Sequence, residues 1–351
     1  MAGNRNLNSA AKAKNDEFYT QKSDIENELK NYTHFFRDKI IFCNCDDPYE
    51  SKFFQYFAEK FNFLGLKKLI ATNFVGSPVF QTVLNFEGTP NQIPDFDKKK
   101  HAIKVEISEV PHDDEKGFSM SDLEFLLTNT KNILTQLNGD SKFPAGDFRS
   151  AECVELLQQA DIVVTNPPFS LFREYVKQLF QFNKKFIIIG NQNAVTYKEI
   201  FSLIMQNKMW LGYGFKRDPI FRVPDYYEER ATRFWIDEHG QKWRSFGNMH
   251  WFTNLDVKKR HEFLPLVFSY AEHPEKYPHY DNYDAIEVSK TAEIPKDYDG
   301  VMGVPITFLD KYNPEQFEIL GIANSARWIG YECYTIIDGK KIYNRILIRR
   351  R

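Results

Sequence analysis

The fold is decided by the stretch Asp161-Ile162-Val163-Val164-Thr165-Asn166-Pro167-Pro168-Phe169. Its run of apolar and β-branched residues predicts a buried strand, and the two prolines end that strand because neither can donate to a sheet ladder. Asn166 is therefore predicted to lie at the carboxyl end of a strand. Ligands bind at that edge in open α/β sheets, so the stretch also predicts a site.

Strands and helices are predicted to alternate around this stretch. Apolar runs predict further strands, and apolar residues at helical spacing predict the helices between them. Alternating strand and helix units favour a parallel, doubly wound sheet and therefore an α/β fold. The predicted strands are 39–45, 68–73, 102–107 and 185–190, and the clearest predicted helix is 151–159.

The composition is that of an ordinary soluble chain, with 351 residues, 42% hydrophobic and 27% charged. Such a length is enough for two domains. The net charge of −2 gives no evidence for a polyanion partner, so any surface for such a partner must come from local clusters of Lys and Arg. The four cysteines form no zinc-like pair, and no signal peptide or long apolar run is present. The sequence therefore predicts a cytoplasmic protein with free thiols, no metal site and no membrane segment.

Three regions are predicted from changes in texture along the chain. Residues 1–14 are polar without apolar periodicity and predict a flexible tail, and residues 15–204 carry the strand and helix units. Residues 205–351 interleave Arg and Trp and lack the alternating strand and helix units. Such a sequence is typical of a nucleic-acid-binding region, but also of a mixed α/β subdomain with a charged, solvated surface. The candidate nucleic-acid-binding residues are Arg217, Arg222, Arg230, Arg233, Arg244, Lys258, Lys259 and Arg260.

The tetrapeptide Asn166-Pro167-Pro168-Phe169 suits chemistry on an amine. An amine that is part of a planar amide-like or aromatic system is a poor nucleophile because its lone pair is delocalised. The Asn side-chain oxygen and the carbonyl of Pro167 can accept the N–H groups of such an amine, and Phe169 offers a flat apolar face on which a planar group can stack. Alternatively, Asn-Pro-Pro is only a tight turn after a strand.

These four residues resemble the Asn-Pro-Pro-Phe/Tyr motif of S-adenosylmethionine (AdoMet)-dependent amino methyltransferases. With four further motifs in the same order, the whole chain resembles the EcoRI-type adenine-specific DNA methyltransferases. The resemblance implies a Rossmann-like methyltransferase domain followed by a C-terminal target-recognition region, and methylation of adenine N6 in duplex DNA. The further motifs are Asn15-Asp16-Glu17-Phe18-Tyr19-Thr20, Cys43-Asn44-Cys45-Asp46-Asp47-Pro48, residues 248–255, and residues 302–309 with 313–317.

The resemblance also implies roles for individual residues. The catalytic group is Asn166, Pro167, Pro168 and Phe169. The first motif lines the AdoMet pocket, the acidic turn holds the methionine end, and an Asp-Phe pair contacts the adenine end. A Gly-rich loop is absent from the acidic turn, and the second strand ends with an Asn where an acidic residue usually holds a ribose. The Asp residues could instead cap helices. The implied cofactor-binding residues are Phe18, Tyr19, Thr20, Asn44, Asp46, Asp47, Asn73, Asp147 and Phe148.

Two other classes of function are compatible with parts of the sequence. A protein-glutamine methyltransferase uses a similar motif, usually with Tyr, and a non-catalytic DNA-binding protein could retain the fold. Phe169 and the Arg- and Trp-rich region disfavour the first, and the intact motif disfavours the second. The expected partners are duplex DNA and a cognate restriction endonuclease acting on the same site, with no obligate protein partner.

Overall fold

The computed structural model describes residues 19–75, 100–111, 120–128, 131–223, 225, 227–323 and 334–351. These residues form two compact units that are interleaved along the chain. The first unit contains the described residues up to Gln192 together with Gly214–Leu255, and the second contains Asn193–Tyr213 and Asp256–Arg351. The units therefore differ from the single division predicted after residue 204, because the Arg- and Trp-rich segment up to Leu255 packs with the first unit. The recognition role of residues 205–351 is not tested by this division and stays a prediction.

Seven strands of the first unit form one mixed sheet. Its order is β5-β4-β3-β2-β6-β7-β12, in which β3, β2, β6 and β7 run parallel while β4, β5 and β12 run antiparallel to their neighbours. The expectation of a purely parallel sheet is therefore wrong at the edges and correct at the centre. The strands are β2 (Ile40–Asn44), β3 (Lys68–Thr72), β4 (Ala102–Ile107), β5 (Ile133–Leu137), β6 (Ile162–Thr165), β7 (Lys185–Asn191) and β12 (Met249–Thr253).

The helices of the first unit begin where the sequence supplies caps. Ser51 accepts from the backbone N–H of Phe53 and Phe54 at the start of α2, and Ser150 accepts from Cys153 N at the start of α5. Neither Asp47 nor Asp147 is the capping residue, so the alternative reading of these aspartates as helix caps is wrong. The helices are α1 (Lys22–Leu29), α2 (Lys52–Glu59), α3 (Phe61–Leu64), α4 (Met120–Thr128), α5 (Ala151–Gln159) and α6 (Phe172–Gln181).

The register between β2 and β6 is fixed by Asp161, the first residue of the stretch that decides the fold. Asp161 Oδ2 accepts from the backbone N–H of Ile40 at 2.8 Å, and Asp161 N donates to the Ile40 carbonyl at 2.9 Å. Ile41 then lies opposite Ile162, and Phe42 opposite Val163. Because the strands are parallel and start together, their carboxyl ends lie side by side.

A second, four-stranded antiparallel sheet in the first unit joins the N-terminal motif to the Arg- and Trp-rich segment. Its order is β1-β9-β11-β10, and Tyr19 and Thr20 pair directly with Arg222 and Phe221. Two residues make too short a strand to persist alone, so β1 depends on β9 for its place. The strands are β1 (Tyr19–Thr20), β9 (Ile220–Val223), β10 (Phe234–Ile236) and β11 (Lys242–Ser245).

The second unit is built around another small sheet, with the order β13-β14-β18-β15. A buried ion pair fastens it, since Arg345 Nη2 lies 2.5 Å from Glu287 Oε1 and the hydroxyl of Tyr280 donates to Glu287 Oε2. No helix in the described ranges is long and apolar enough to cross a membrane. The elements are α7 (Lys198–Met205), β8 (Trp210–Leu211), β13 (Ile286–Glu287), β14 (Met302–Val304), β15 (Phe317–Ala323), β16 (Ile336–Ile337), β17 (Lys340–Lys341) and β18 (Arg345–Arg350).

Candidate active site

The acidic turn after β2 meets the Asn-Pro-Pro-Phe stretch after β6. The hydroxyl of Thr165 is within hydrogen-bonding distance of both the Asn44 carbonyl and Asp46 Oδ2. Ser51 Oγ donates to Asp46 Oδ1 at 2.8 Å, and the backbone N–H of Asn166 donates to the Asp46 carboxyl group. The structure thus brings together Asn44, Asp46 and Asn166, which sequence analysis assigned to two different tasks.

Two residues in this contact were missed by sequence analysis. Thr165 was taken only as the last residue of a strand, and Ser51 was not singled out. The position of Thr165 directly before Asn166 was the available signal, because a polar residue at the end of an otherwise apolar strand needs a hydrogen-bond partner there. Both side chains are almost fully buried.

The carboxyl group of Asp46 is held in an environment that favours its neutral form. Burial raises its pKa to about 7, and the neighbouring charge of Asp47 acts in the same direction. Hydrogen bonds from Thr165 and Ser51, and from the backbone of Asn166, oppose this rise without cancelling it. Asp46 is therefore a titrating group near neutral pH at the point where the two strands end.

This shifted pKa gives the wild-type protein a pH dependence that Asp46→Asn should remove. The folded pKa of about 7 lies above the reference value of 3.8, so the group's contribution to stability is full below that reference value and is lost as pH rises through about 7. Urea unfolding at pH 5 and pH 8 is the measurement. We expect the difference in the free energy of unfolding, Asp46→Asn minus wild type, to be more positive at pH 8 than at pH 5. Identical pH dependence of the two proteins would contradict the buried position of this carboxyl group.

Asn44 is buried and has one satisfied and one unsatisfied side-chain group. The hydroxyl of Tyr175, from α6, donates to Asn44 Oδ1. Asn44 Nδ2 has no acceptor in the described part of the chain. Asp47 is also buried, and its Oδ1 accepts from Tyr49 N at 2.9 Å. Asn44 thus offers a buried donor at the carboxyl end of β2.

The Asp147-Phe148 pair reaches the same region through Tyr175. Phe148 packs edge-on against Tyr175 with ring centroids 5.0 Å apart. Asp147 forms an ion pair with Arg149, whose Nε and Nη2 donate to the two carboxylate oxygens at 2.9 and 2.8 Å. Phe148 therefore lies beside the residue that holds Asn44, while the carboxylate of Asp147 is oriented by Arg149.

Asn73 has a structural role in addition to any contact with a ligand. Its Oδ1 accepts from the backbone N–H of Ile103 at 2.7 Å, which ties the end of β3 to β4. Its carbonyl oxygen lies against Gly146, where the backbone has φ +75° and a Cβ atom would come within 1.8 Å of that oxygen. Only glycine allows the backbone to come this close to the Asn73 carbonyl. The contact brings the loop before Asp147 against the end of β3.

The N-terminal motif is only partly described. Phe18 lies outside the described residues, whereas Tyr19 and Thr20 form β1. Arg222 stacks over the ring of Tyr19 at 4.8 Å and forms an ion pair with Glu50, in the turn that follows β2. The structure therefore places Arg222 beside two of the predicted cofactor-binding stretches, although sequence analysis grouped it with DNA-binding residues.

The other four arginines of the Arg- and Trp-rich segment are spread over the surface of the first unit. Arg230 and Arg233 are exposed and lie 3.5 and 3.7 Å from Glu228 and Asp218. Arg217 is also exposed, and its charge partly opposes the rise that burial causes in the pKa of Asp24. Arg244 lies over the ring of Phe246 at 5.0 Å, and its Nε and Nη1 are shielded without an acceptor among the described residues.

The basic cluster Lys258, Lys259 and Arg260 belongs to the second unit and is not uniform. Lys258 is exposed. Lys259 Nζ donates to the Gly212 carbonyl at 2.9 Å and forms an ion pair with Asp310. Arg260 stacks on Trp210 at 4.1 Å. Lys259 and Arg260 thus make structural contacts within their own unit, which sequence analysis did not predict.

A mixed β-sheet with flanking helices, and an Asn-Pro-Pro-Phe loop at the carboxyl end of a parallel strand, are consistent with an amino methyltransferase. The model of the family described as adenine-specific methyltransferase EcoRI matches residues 6–351. The chain belongs to this family of adenine-specific DNA methyltransferases and uses AdoMet.

The relatives are similar along their whole length. The Type II methyltransferase M.EcoRI of Escherichia coli is 47% identical over 351 residues, which cover 100% of this chain and 98% of that protein. The Type II methyltransferases M.MgeORF184P of Mycoplasma genitalium and M.MpnI of Mycoplasma pneumoniae are each 36% identical and cover 98% of both chains. No solved structure matches the chain.

The site contains buried polar atoms that fit a cofactor carrying a carboxylate, as AdoMet does. Asn44 Nδ2 is a buried donor without an acceptor in the described ranges, and a carboxylate is a suitable acceptor for it. The hydroxyl of Thr20 is also buried, and it has no hydrogen-bond partner among the residues that the structure describes. Both residues are among those for which the resemblance implied contact with the cofactor.

Proposed function

We propose that the enzyme methylates N6 of an adenine that has been flipped out of duplex DNA, and that the reaction takes place where β2 and β6 end. The observation that carries this proposal is the set of hydrogen bonds joining Thr165 and Asn166 to the acidic turn. These bonds place the Asn-Pro-Pro-Phe loop next to Asn44, the last residue of β2, and Asp46, in the turn that follows it. A methyl donor and a methyl acceptor must meet within bonding reach, and this is the place where their predicted binding residues adjoin.

In the proposed mechanism each residue of the loop has a separate task. The side-chain oxygen of Asn166 and the carbonyl oxygen of Pro167 accept the two N–H groups of the adenine amine, which favours a nucleophilic nitrogen. Phe169 stacks on the flipped base, and Pro168 keeps the loop in its extended conformation. When bound, AdoMet would supply the methyl group from its sulfonium, and the broken S–CH₃ bond would leave a neutral thioether. No strong base is needed, because the product ammonium loses its proton readily.

The cofactor is proposed to lie along the carboxyl ends of β2 and β3, as in a Rossmann-like methyltransferase domain. Asn44, Asp46 and Asp47 are assigned to the methionine end, and Asp147 and Phe148 to the adenine end. The first motif, Phe18 to Thr20, would line the pocket. The burial of the described members of this set and the supporting contacts of Tyr175 favour the assignment.

A rise in fluorescence is expected when the enzyme binds a duplex in which 2-aminopurine replaces the target adenine. An adenine within the stack cannot reach a loop at a sheet edge, so it must rotate out before transfer, and an unstacked 2-aminopurine is brighter. The matched control is the same duplex with 2-aminopurine placed two base pairs from the target. An unchanged signal at the target position, with tight binding to the duplex, would contradict base flipping.

Target recognition is proposed to reside in residues 205–351. A sheet edge that holds the cofactor and one base cannot read the neighbouring base pairs, so a different surface must do so. The exposed Arg217, Arg230 and Arg233 and the exposed Lys258 support this assignment because their positions leave them accessible to DNA. We also propose a cytoplasmic location and a cognate restriction endonuclease as the functional partner, in keeping with relatives named as Type II methyltransferases.

A further inference from the structure

Thr165 is the last residue of β6 and directly precedes Asn166. Its side chain is fully buried, at 0% exposure. The preceding residues Ile162, Val163 and Val164 are apolar and equally well buried, so valine would suit this position in the strand. A hydroxyl in a buried strand is costly unless it is hydrogen-bonded, and here its contacts all lie in one direction, towards the turn after β2.

The contacts of this hydroxyl join the two halves of the proposed site. The partners are the carbonyl oxygen of Asn44 and Oδ2 of Asp46. A hydroxyl has one hydrogen to donate, so both contacts are satisfied together when the Asp46 carboxyl group is neutral and donates to Thr165, which in turn donates to Asn44. The chain of hydrogen bonds then runs without a break from Asp46 through Thr165 to Asn44.

The Asp46 carboxyl group that contacts the Thr165 side chain also binds the backbone of Asn166. The N–H of Asn166 donates to the Asp46 carboxyl group, and Ser51 Oγ fixes that carboxyl group at 2.8 Å. The side chain of Thr165 and the N–H of Asn166 thus form two attachments between one short segment and one carboxyl group. This double attachment leaves little freedom for the backbone that carries the Asn166 side chain.

We propose that Thr165 is a positioning residue for methyl transfer, because its hydroxyl fixes Asn166 relative to the Asn44–Asp47 turn. The inference rests on the proposed function of that site. Transfer of a methyl group requires the nitrogen, the carbon and the leaving group to be nearly in line, and a misplacement of about 1 Å costs roughly 100-fold in rate. Thr165 does not touch the substrate. It sets the distance between the residues that orient the amine and those assigned to the cofactor.

Three variants test this role. Thr165→Val removes the hydroxyl at nearly constant volume, and Thr165→Ser retains it. Thr253→Val is the matched control, because Thr253 is also fully buried and its hydroxyl donates to the Phe186 carbonyl at 2.7 Å and accepts from Leu255 N at 3.0 Å. It lies on β12 opposite Ile187 of β7, and β7 separates it from β6, so its hydrogen bonds are made to Phe186 and Leu255 and not to the Asn44–Asp47 segment.

The measurements are kcat, the dissociation constant for AdoMet and the unfolding temperature. We expect Thr165→Val to lower kcat at least about tenfold, with AdoMet affinity within about threefold of wild type. Thr165→Ser should keep kcat within about threefold of wild type, and Thr253→Val should lower the unfolding temperature as much as Thr165→Val does while keeping kcat. This pattern separates positioning from stability, since both valine variants lose a buried hydroxyl.

Two results would overturn the inference. One is a Thr165→Val enzyme with the kcat of Thr165→Ser. The other is a loss of AdoMet affinity as large as the loss of kcat, which would make Thr165 a cofactor-binding residue. Asn166→Ala measured alongside shows which proposal has failed. If Asn166→Ala is inactive and Thr165→Val is normal, only the positioning role falls, whereas an active Asn166→Ala enzyme removes the proposed site itself.

Discussion

Asn166→Ala is expected to abolish methyl transfer while leaving the affinities for AdoMet and DNA largely unchanged. The side-chain oxygen of Asn166 acts on the amine as its nitrogen becomes nucleophilic, so its loss raises the barrier of the chemical step rather than weakening binding. Single-turnover methylation of a cognate duplex measures that step. The expected loss is well above tenfold, and a variant retaining more than about a tenth of the wild-type kcat, a loss below about 1.4 kcal/mol, would contradict the assignment.

Asn254→Ala is the matched control for this variant. Asn254 Oδ1 accepts from Phe186 N at 2.9 Å and its Nδ2 donates to the Lys184 carbonyl at 2.9 Å, so the change removes a structural asparagine of the same sheet. It should lower the unfolding temperature and keep kcat near wild type. Asn166→Ala should give the opposite pattern. A loss of kcat in both variants would point to general damage to the sheet instead of chemistry at Asn166.

Gly146→Ala is expected to be the most destabilising single change in the described part of the site. The residue has φ +75°, and an added Cβ would lie 1.8 Å from the carbonyl oxygen of Asn73 and 2.9 Å from its carbonyl carbon. Because the obstructing atoms belong to the backbone at the end of β3, the clash is relieved only by moving the loop or the strand. We expect insoluble protein or a loss of at least about 4 kcal/mol in the free energy of unfolding.

Gly240→Ala separates the clash from the backbone conformation. Gly240 has φ +76°, nearly the same as Gly146, but no atom lies within 4 Å of the position of its added Cβ. This variant should lose only the cost of a left-handed alanine, about 1–2 kcal/mol. Urea unfolding of both variants is the measurement. Similar midpoints would show that the approach of Gly146 to Asn73 is not rigid.

The parts of the fold that follow from local patterns could be predicted from sequence. The strand ending at Thr165, the helix Ala151–Gln159 and the strand beginning at Lys185 follow from apolar runs and their breakers, and the structure confirms them. The predicted placement of Asn166 at the carboxyl end of a strand is also confirmed. Its position next to the acidic turn was not predicted, and it follows because parallel strands that start together end together.

The remaining features depend on contacts between residues far apart in sequence. The antiparallel direction of β12 and its place beside β7 cannot be inferred from its own residues, because period-two patterns do not encode direction. The ion pair between Arg222 and Glu50 links residues 172 positions apart. It places Arg222 beside the turn after β2, whereas the sequence groups this arginine with the candidate nucleic-acid-binding residues. Likewise, Ser51 and Thr165 look like ordinary polar residues until the two strand ends are brought together.

The path of the chain between its two compact units also limits how the enzyme can be divided or recombined. The backbone passes from one unit to the other after Gln192, Tyr213 and Leu255, so no single cut yields either unit whole. A fragment ending at residue 204 would lack β12 and leave β7 as an open hydrophobic edge, which favours aggregation. Chimaeras that exchange recognition surfaces with a relative must therefore be joined at two or more of these three points. Residues 214–255 must come from the same parent as the rest of the first unit, because they contain β12 of its sheet.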